Sequence, residues 1–442
     1  MTSAPTGSIA AAQMDPTPLA SRQVALEVLS SCLDKGQPLD ETLSRHPGFS
    51  ALDPRDRAFV RLLLATTLRR LGETDGVLGA LIEKPLDGQN AIARQVLRLG
   101  AAQLLFLGTA DHAAVDTSVR LIEATGLIHL KGLVNAVMRR IARDGATLLG
   151  DRDPARLNTP QWLWDSWLGV YGEATTRAIA AAHLIEAPLD LTPARDAAFW
   201  AGQLEGELLP TGTIRRMGGG NIPDLPGFAE GTWWVQDAAA TLPVHLMGDL
   251  AGKRVADLCA APGGKTLQLC AAGASVVAVD ISGRRMARVA ENLARAGFSA
   301  ELVTADVSKW TTIEQFDAVL LDAPCSGTGT LRRHPDIAWL KDPEDIDRLT
   351  LAQDRLLLRA LDLLKPGGTL VYAVCSLQEE EGPSRVEGML ARNKNVKRVP
   401  IRSAEVPGLD AAITRAGALR TLPSMWAERG GIDGFYIARV TV

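Results

Sequence analysis

The chain has 442 residues, of which 46% are hydrophobic and 22% are charged, and its formal net charge is −4. This composition excludes wholesale disorder and, at roughly 150 residues per domain, predicts two to four folded domains. A slightly acidic chain offers no long-range attraction to phosphate, so any nucleic-acid site must be a local basic patch.

The cysteines and the N-terminus indicate a cytoplasmic protein. The five cysteines are widely spaced and form no C-x-x-C pair or Cys/His cluster, so we expect neither a disulfide framework nor a metal site. Residues 1–20 lack the basic start and apolar centre of a secretory signal and are predicted to be a flexible tail. No apolar run reaches about 18 residues, the length expected of a membrane span.

Residues 21–150 are predicted to form a helical bundle. Apolar residues recur at helical spacing, for example Val115, Val119 and Ile122, and again in "GLVNAVMRRIARDG" before a glycine stop. The polar segment "GDRDPARLNTP" at 150–160 breaks this periodicity and is predicted to be a linker.

Residues 151–245 are predicted to hold the linker and a small α/β subdomain. This region contains the tryptophan-dense "QWLWDSWLGVYG", the segment "LDLTPAR" and "GTWWVQD". We expect the tryptophans to fill a core or a domain interface, because aromatic side chains dominate both. Stacking on nucleic-acid bases is the alternative.

Residues 246–442 are predicted to form a doubly wound α/β domain. Five short apolar segments alternate with amphipathic helices and show little polar alternation, as expected for a parallel sheet covered on both faces. These segments are "RVADLC", "SVVAVD", "AELVTAD", "FDAVLLDAPC" and "GTLVYAVCS".

The loop "CAAPGGK" after the first of these strands lies where open α/β sheets bind nucleotides. Its two glycines allow backbone N–H groups to approach a ligand, but neither G-x-G-x-x-G nor G-x-x-x-x-G-K-[ST] is present. Asp280 and Asp306 close the next two strands, where they can bind the ribose hydroxyls and the adenine edge. An adenosine without a pyrophosphate site indicates S-adenosylmethionine.

Two cysteines follow neighbouring strands of the same predicted sheet. Cys325 comes after the fourth strand, behind Asp322, and Cys375 comes after the fifth. A thiolate that adds to carbon 6 of a pyrimidine makes carbon 5 nucleophilic enough to take a methyl group, and a second thiol can assist proton removal or enzyme release. Asp322 could bind the cytosine amine. Each cysteine could instead be a small buried apolar residue.

These motifs resemble the RNA cytosine-5 methyltransferases, specifically the bacterial small-subunit (16S) ribosomal RNA methyltransferase B group (RsmB, also called Fmu or Sun). The resemblance is carried by "CAAPGGK", "DAPCSGTGTLRRHPDIAW", "VYAVCSLQEEEG" and "GIDGFYIARV", and "GLVNAVMRR" resembles the group's NusB-type helical RNA-binding module. The resemblance therefore spans nearly the whole chain.

The resemblance implies a role for each cysteine, with Cys375 as the nucleophile and Cys325 as the thiol that assists release. It also implies a set of residues lining the S-adenosylmethionine site: Cys259, Ala260, Ala261, Pro262, Gly263, Gly264, Lys265, Asp280, Asp306 and Asp322. The family's Arg-Val-Asn segment is replaced here by "LDLTPAR", and its asparagine after the nucleophile is missing from "EEEGPS".

Ribosomal RNA is the expected partner, and the protein is expected to be a monomer. Arg332, Arg333 and His334 leave the Cys325 loop and are predicted to contact RNA phosphates. Two further alternatives remain open, namely the same chemistry on transfer RNA and a non-catalytic RNA-binding factor that keeps the methyltransferase fold. Arginines on the helical half are the other basic groups, and they are also compatible with an ordinary solvated surface: Arg55, Arg57, Arg61, Arg69, Arg70, Arg139, Arg140 and Arg143.

Overall fold

A computed structural model describes residues 18–218 and 220–442, which divide into two compact units after Asn158. The segment predicted as a tail lies outside the described residues except at its end, because the first helix already begins at Pro18. Within the described ranges, no helix combines the length and the apolar character that crossing a bilayer requires.

The described residues of the first unit form helices joined by loops, as the sequence predicts. Helix α6 is its centre and is buried from Gln95 to Gln103. The predicted stripe on α8 is buried at Val134, Val137, Met138 and Ile141. The helices are α1 (Pro18–Lys35), α2 (Leu39–Arg45), α3 (Pro47–Ala51), α4 (Pro54–Arg69), α5 (Leu71–Leu81), α6 (Ala91–Leu105), α7 (Asp111–Ala124), α8 (Lys131–Leu149) and α9 (Pro154–Leu157).

The second unit begins with a long helix and a small antiparallel sheet whose strand order is β2-β3-β1-β4. Four tryptophans here are buried, namely Trp164, Trp167, Trp233 and Trp234, which confirms their prediction as core residues. The elements are α10 (Gln161–His183), β1 (Leu189–Pro193), α11 (Ala197–Gln203), β2 (Glu207–Leu208), β3 (Ile214–Arg216) and β4 (Trp233–Val235).

The rest of the second unit is built on an eight-stranded sheet with the order β10-β12-β9-β8-β5-β6-β7, and β11 pairs with β12. The five predicted strands are confirmed as the parallel part of this sheet. The strands are β5 (Arg254–Leu258), β6 (Ser275–Asp280), β7 (Glu301–Thr304), β8 (Phe316–Asp322), β9 (Leu364–Val374), β10 (Lys397–Arg398), β11 (Leu419–Thr421) and β12 (Phe435–Thr441).

Helices cover both faces of this sheet, which confirms the doubly wound fold. Alternate residues of β8 separate the two cores, since Ala318 and Leu320 face one cluster and Val319 and Leu321 face the other. The helices are α12 (Ala238–His245), α13 (Gly264–Ala271), α14 (Gly283–Ala296), α15 (Ile337–Leu340), α16 (Pro343–Asp362) and α17 (Pro383–Arg392).

Candidate active site

The predicted site residues meet at the carboxyl edge of the parallel strands. Asp280 and Asp322 are the last residues of β6 and β8, and Cys375 directly follows β9. Because parallel strands all end at the same edge of a sheet, these side chains surround two neighbouring cavities. We call them the carboxylate pocket and the thiol pocket.

The carboxylate pocket has a volume of about 260 Å³ and is lined by Cys259, Asp280, Ile281 and Asp306, among others. The Asp280 carboxylate accepts hydrogen bonds from the backbone N–H groups of Ser282 at 2.9 Å and Ala261 at 3.2 Å. Desolvation by burial, reinforced by nearby carboxylates, raises the pKa of Cys259 to about 12, so this cysteine stays a thiol at neutral pH.

This pocket fits the adenosine part of S-adenosylmethionine. A carboxylate has about four acceptor positions, so Asp280 can accept further hydrogen bonds from ribose hydroxyls. Ile281 is 68% exposed beside it, an apolar surface that an adenine ring would cover. A mostly apolar cavity with a few convergent polar groups is the usual form of a cofactor site.

The "CAAPGGK" loop is divided between the two cavities. Cys259 lines the carboxylate pocket, whereas Ala260, Ala261, Pro262, Gly264 and Lys265 line the thiol pocket. Gly263 has a φ of 103°, and a Cβ there would lie 3.1 Å from Val289 on α14, so the turn into α13 requires glycine.

The buried carboxyl of Asp257 anchors this turn from the strand side. Thr266 in the first turn of α13 donates a 2.6 Å hydrogen bond to it. Burial raises the pKa of Asp257 to about 7. Asp257 is not among the predicted site residues, although it is the aspartate of "ADLC" near the end of β5.

The thiol pocket has a volume of about 380 Å³ and is lined by Cys375, Asp322, Lys265 and Arg333, among others. The Lys265 ammonium donates a 2.7 Å hydrogen bond to the Asp322 carboxylate and lies 5.4 Å from the centre of the Phe435 ring. Burial lowers the pKa of Lys265, but the Asp322 charge outweighs this, and the net pKa is raised.

The two cysteines that follow β8 and β9 lie side by side. The Sγ atoms of Cys325 and Cys375 are 3.5 Å apart. The hydrogen bond to Cys375, together with burial, raises the pKa of Cys325 well above its ordinary value, so Cys325 keeps its proton. Cys375 is the one of the two that lines the thiol pocket.

Helix α10 supports the loop that follows Cys375. The Trp167 indole N–H donates to the side chain of Gln378 at 2.9 Å, and the Tyr171 hydroxyl donates to the backbone carbonyl of Leu377 at 2.6 Å. The tryptophan-dense segment therefore contributes to the site by packing under the loop after Cys375.

The structure corrects the prediction that Arg332 contacts phosphate. Its side chain is 1% exposed, and the guanidinium donates to the backbone carbonyl of Gly430 and lies 3.3 Å from Asp433 and 3.5 Å from Asp237. A guanidinium enclosed in this way cannot reach an RNA backbone.

Arg333 contacts the same Asp433 carboxylate as its neighbour but remains partly accessible. Its side chain is 35% exposed and lines the thiol pocket while it forms an ion pair with Asp433. His334 is half-buried, and its backbone N–H donates to the Thr330 carbonyl. Of the three predicted RNA contacts, Arg333 is the one that the structure places on the wall of the pocket.

Sequence reasoning missed the acidic wall of the thiol pocket. Asp237 is buried, and desolvation together with the charges of Asp433 and Asp190 raises its pKa to about 7. Asp433 lies in the motif "GIDGFYIARV", whose position before the last strand was the available signal. Asp433 pairs with both Arg332 and Arg333, and Asp237 pairs with Arg332.

A parallel sheet whose strand ends form an adenosine-sized acidic pocket beside a second, thiol-lined pocket defines a class I S-adenosylmethionine-dependent methyltransferase. Family models support this class: residues 246–441 match the model described as 16S rRNA methyltransferase RsmB/F, and residues 19–143 match the NusB family.

Curated relatives match along nearly the whole chain. The ribosomal RNA small subunit methyltransferase B of Cronobacter sakazakii is 33% identical over 436 residues, covering 95% of this chain and 98% of that protein. The protein of the same name from Klebsiella pneumoniae is 34% identical, covering 95% and 97%. The crystal structure of PH0851 has a TM-score of 0.76 at 21% identity, covering 96% of this chain and 99% of that one, which concerns the fold. The chain belongs to the RsmB/F family of ribosomal RNA small subunit methyltransferases.

Proposed function

We propose that this protein methylates carbon 5 of a cytosine in small-subunit ribosomal RNA through a covalent adduct between Cys375 and carbon 6. The observation that carries the proposal is the contact between the two cysteine sulfur atoms, 3.5 Å apart, of which Cys375 lines the thiol pocket. The carboxylate pocket that fits adenosine lies at the same edge of the sheet. When bound, S-adenosylmethionine supplies an electrophilic methyl group.

In this mechanism Cys375 acts as the nucleophile. Its thiolate forms a bond to carbon 6 of the flipped base while the electron pair of the double bond between carbons 5 and 6 moves to carbon 5, which makes carbon 5 nucleophilic. Lys265 and Arg333 line the same pocket and bring positive charge close to the reacting groups. The Asp322 carboxylate accepts a hydrogen bond from the exocyclic amine of the cytosine and fixes the orientation of the ring.

Cys325 acts at the release step. After methyl transfer the carbon-5 proton is lost to a base, the bond between carbon 6 and sulfur breaks, and its electron pair returns to the Cys375 sulfur. The Cys325 thiol, which the raised pKa keeps protonated, donates a hydrogen bond to that departing sulfur.

Cysteine variants test these roles on unmodified small-subunit rRNA fragments. We expect Cys375→Ala to abolish both methylation and the covalent protein–RNA species, and Cys325→Ala to accumulate that species on denaturing gels. Cys270→Ala is the matched control, because Cys270 lies on α13 and its thiol donates to the Ser299 carbonyl. Methylation retained by Cys375→Ala but lost by Cys325→Ala would mean that the roles are reversed.

The RNA substrate is tested separately. The names of the curated relatives and the match to the NusB family favour small-subunit rRNA over transfer RNA. Mapping 5-methylcytosine in both RNAs from cells that lack this protein distinguishes the two. Loss of a transfer RNA mark alone would refute the rRNA assignment. No loss in either RNA, with no methyl incorporation in vitro, would favour the non-catalytic RNA-binding alternative.

A further inference from the structure

One buried carboxylate connects the loops of both cysteines. Glu381 is fully buried, and Ser326 and Ser376, the residues directly after Cys325 and Cys375, both donate their hydroxyls to its Oε2 at 2.5 Å. The Ser326 backbone N–H donates to Oε1 at 2.8 Å. The same carboxylate therefore fixes the residue that follows each thiol.

Helix α16 completes this arrangement. The Gln353 side-chain amide donates to Glu381 Oε1 at 3.1 Å and to the backbone carbonyl of Pro324, the residue before Cys325, at 2.9 Å. Glu381 is itself held by Tyr372 of β9, whose hydroxyl donates to the Glu381 backbone carbonyl at 2.6 Å. The Cys325 loop is thus held on both sides of the thiol.

Further hydrogen bonds fix the two serine hydroxyls that bind Glu381. Both serine hydroxyls point their hydrogens at Glu381, so each serine oxygen is left to accept, and the Ser376 oxygen does so from the Gln378 N–H at 3.0 Å. Thr328 accepts from the Leu377 N–H at 3.0 Å, which leaves its hydroxyl hydrogen for one of the two serines. The Glu381 carboxylate therefore accepts four hydrogen bonds, two at each oxygen.

We propose that Glu381 is a positioning residue for both thiols, holding the two cysteine loops in the register that keeps their sulfur atoms in contact. This inference rests on the proposed function, which assigns one thiol to addition and the other to release. A displacement of about 1 Å at a reacting atom costs on the order of 100-fold in rate. Two loops that share one anchor keep their relative position even when each of them moves.

The charge of Glu381 has a second effect on the same pair. The hydrogen bond to Cys375 and burial are larger causes of the raised pKa of Cys325, and the charge of Glu381 raises this pKa further. The anchor thus also favours the protonated form of the releasing thiol, in keeping with a donor at that position.

Glu381→Gln tests the anchor directly. Glutamine has one acceptor oxygen, and its NH₂ group faces the donors that the second carboxylate oxygen accepted. We expect kcat to fall at least tenfold, while KM for RNA and the Kd for S-adenosylmethionine stay within about twofold of wild type. Glu380→Gln is the matched control, because Glu380 is the exposed neighbour with the same side chain. A wild-type kcat in Glu381→Gln would overturn the proposal.

Two serine variants separate positioning from general stability and decide the matter if Glu381→Gln does not fold. We expect Ser376→Ala to slow the formation of the covalent adduct in a single turnover, and Ser326→Ala to leave formation intact but to accumulate the adduct, as Cys325→Ala does. Thermal melting and S-adenosylmethionine binding monitor the fold. Wild-type addition and release in both serine variants would refute the anchor without touching the cysteine roles, which the cysteine variants test on their own.

Discussion

Replacing Arg332 with alanine tests whether this arginine stabilises the fold rather than binding RNA. Its side chain is 1% exposed and lies within 3.5 Å of carboxylate oxygens of both Asp237 and Asp433. Removing it leaves two buried carboxylates without one of their cations, and removing one partner of a buried ion pair costs about 3–5 kcal/mol. At about 2 °C per kcal/mol for a unit of this size, the unfolding midpoint should fall by roughly 6–10 °C.

Calorimetry of Arg332→Ala beside Arg333→Ala and Arg332→Lys measures this. Lysine keeps the charge but loses the planar fork, so Arg332→Lys should fall between wild type and Arg332→Ala. Arg333 is more exposed, so its loss should lower the midpoint less than that of Arg332. Arg333→Ala should instead weaken RNA binding and reduce the slope of its salt dependence by the amount expected for about one phosphate contact. If Arg332→Ala melts like wild type and loses that salt dependence, the assignment of a structural role to Arg332 is wrong.

Two further predictions concern the same pocket wall. Burial raises the pKa of Asp237 to about 7, so its contribution to stability is complete below its ordinary pKa and is lost as the pH rises through 7. The melting temperature of Asp237→Asn, relative to that of wild type, should therefore be higher at pH 8 than at pH 5. An equal difference at both pH values would contradict this. A Cβ on Gly329 would lie 1.9 Å from the Gly434 carbonyl oxygen, so Gly329→Ala should displace the Cys325 loop and abolish methylation. Gly283→Ala is the control and should remain active, because the nearest atom to its Cβ is 3.7 Å away. An active Gly329→Ala variant would refute the close approach.

The fold of the second unit was predictable because its strands carry an unambiguous signal. β6 coincides with "SVVAVD", since a strand buried on both faces must be continuously apolar. Because parallel strands all end at the same edge of a sheet, the sequence alone predicted that Asp280, Asp322 and Cys375 lie at one edge. The roles of the two thiols came from the resemblance, since strand order treats both loops alike.

The pairing of charged side chains could not be predicted in this way. Arg332 and Arg333 are adjacent and identical in type, yet one is enclosed and the other lines a pocket. Which of them is buried depends on Asp237 and Asp433, which lie 95 and 101 residues from Arg332 along the chain. The two aspartates are themselves 196 residues apart. The burial of Glu381 could not be predicted for a related reason. In "QEEEG" nothing in the sequence distinguishes this buried glutamate from its exposed neighbour.

The small antiparallel sheet belongs to the active site because it fixes the same wall. Arg215 of β3 forms two 2.7 Å hydrogen bonds with Asp190 of β1 and donates to the Gly431 carbonyl at 2.6 Å, next to the carbonyl of Gly430 that Arg332 binds. Asp190 also accepts from the Ala238 N–H at the start of α12, directly after Asp237. The segment "LDLTPAR" therefore supplies, through its Asp190, a charge that orients both the start of α12 and the turn before β12. Asp433 lies in the turn before β12 and forms the ion pair with Arg333. We therefore expect a change at Asp190 to displace Arg333 on the wall of the thiol pocket.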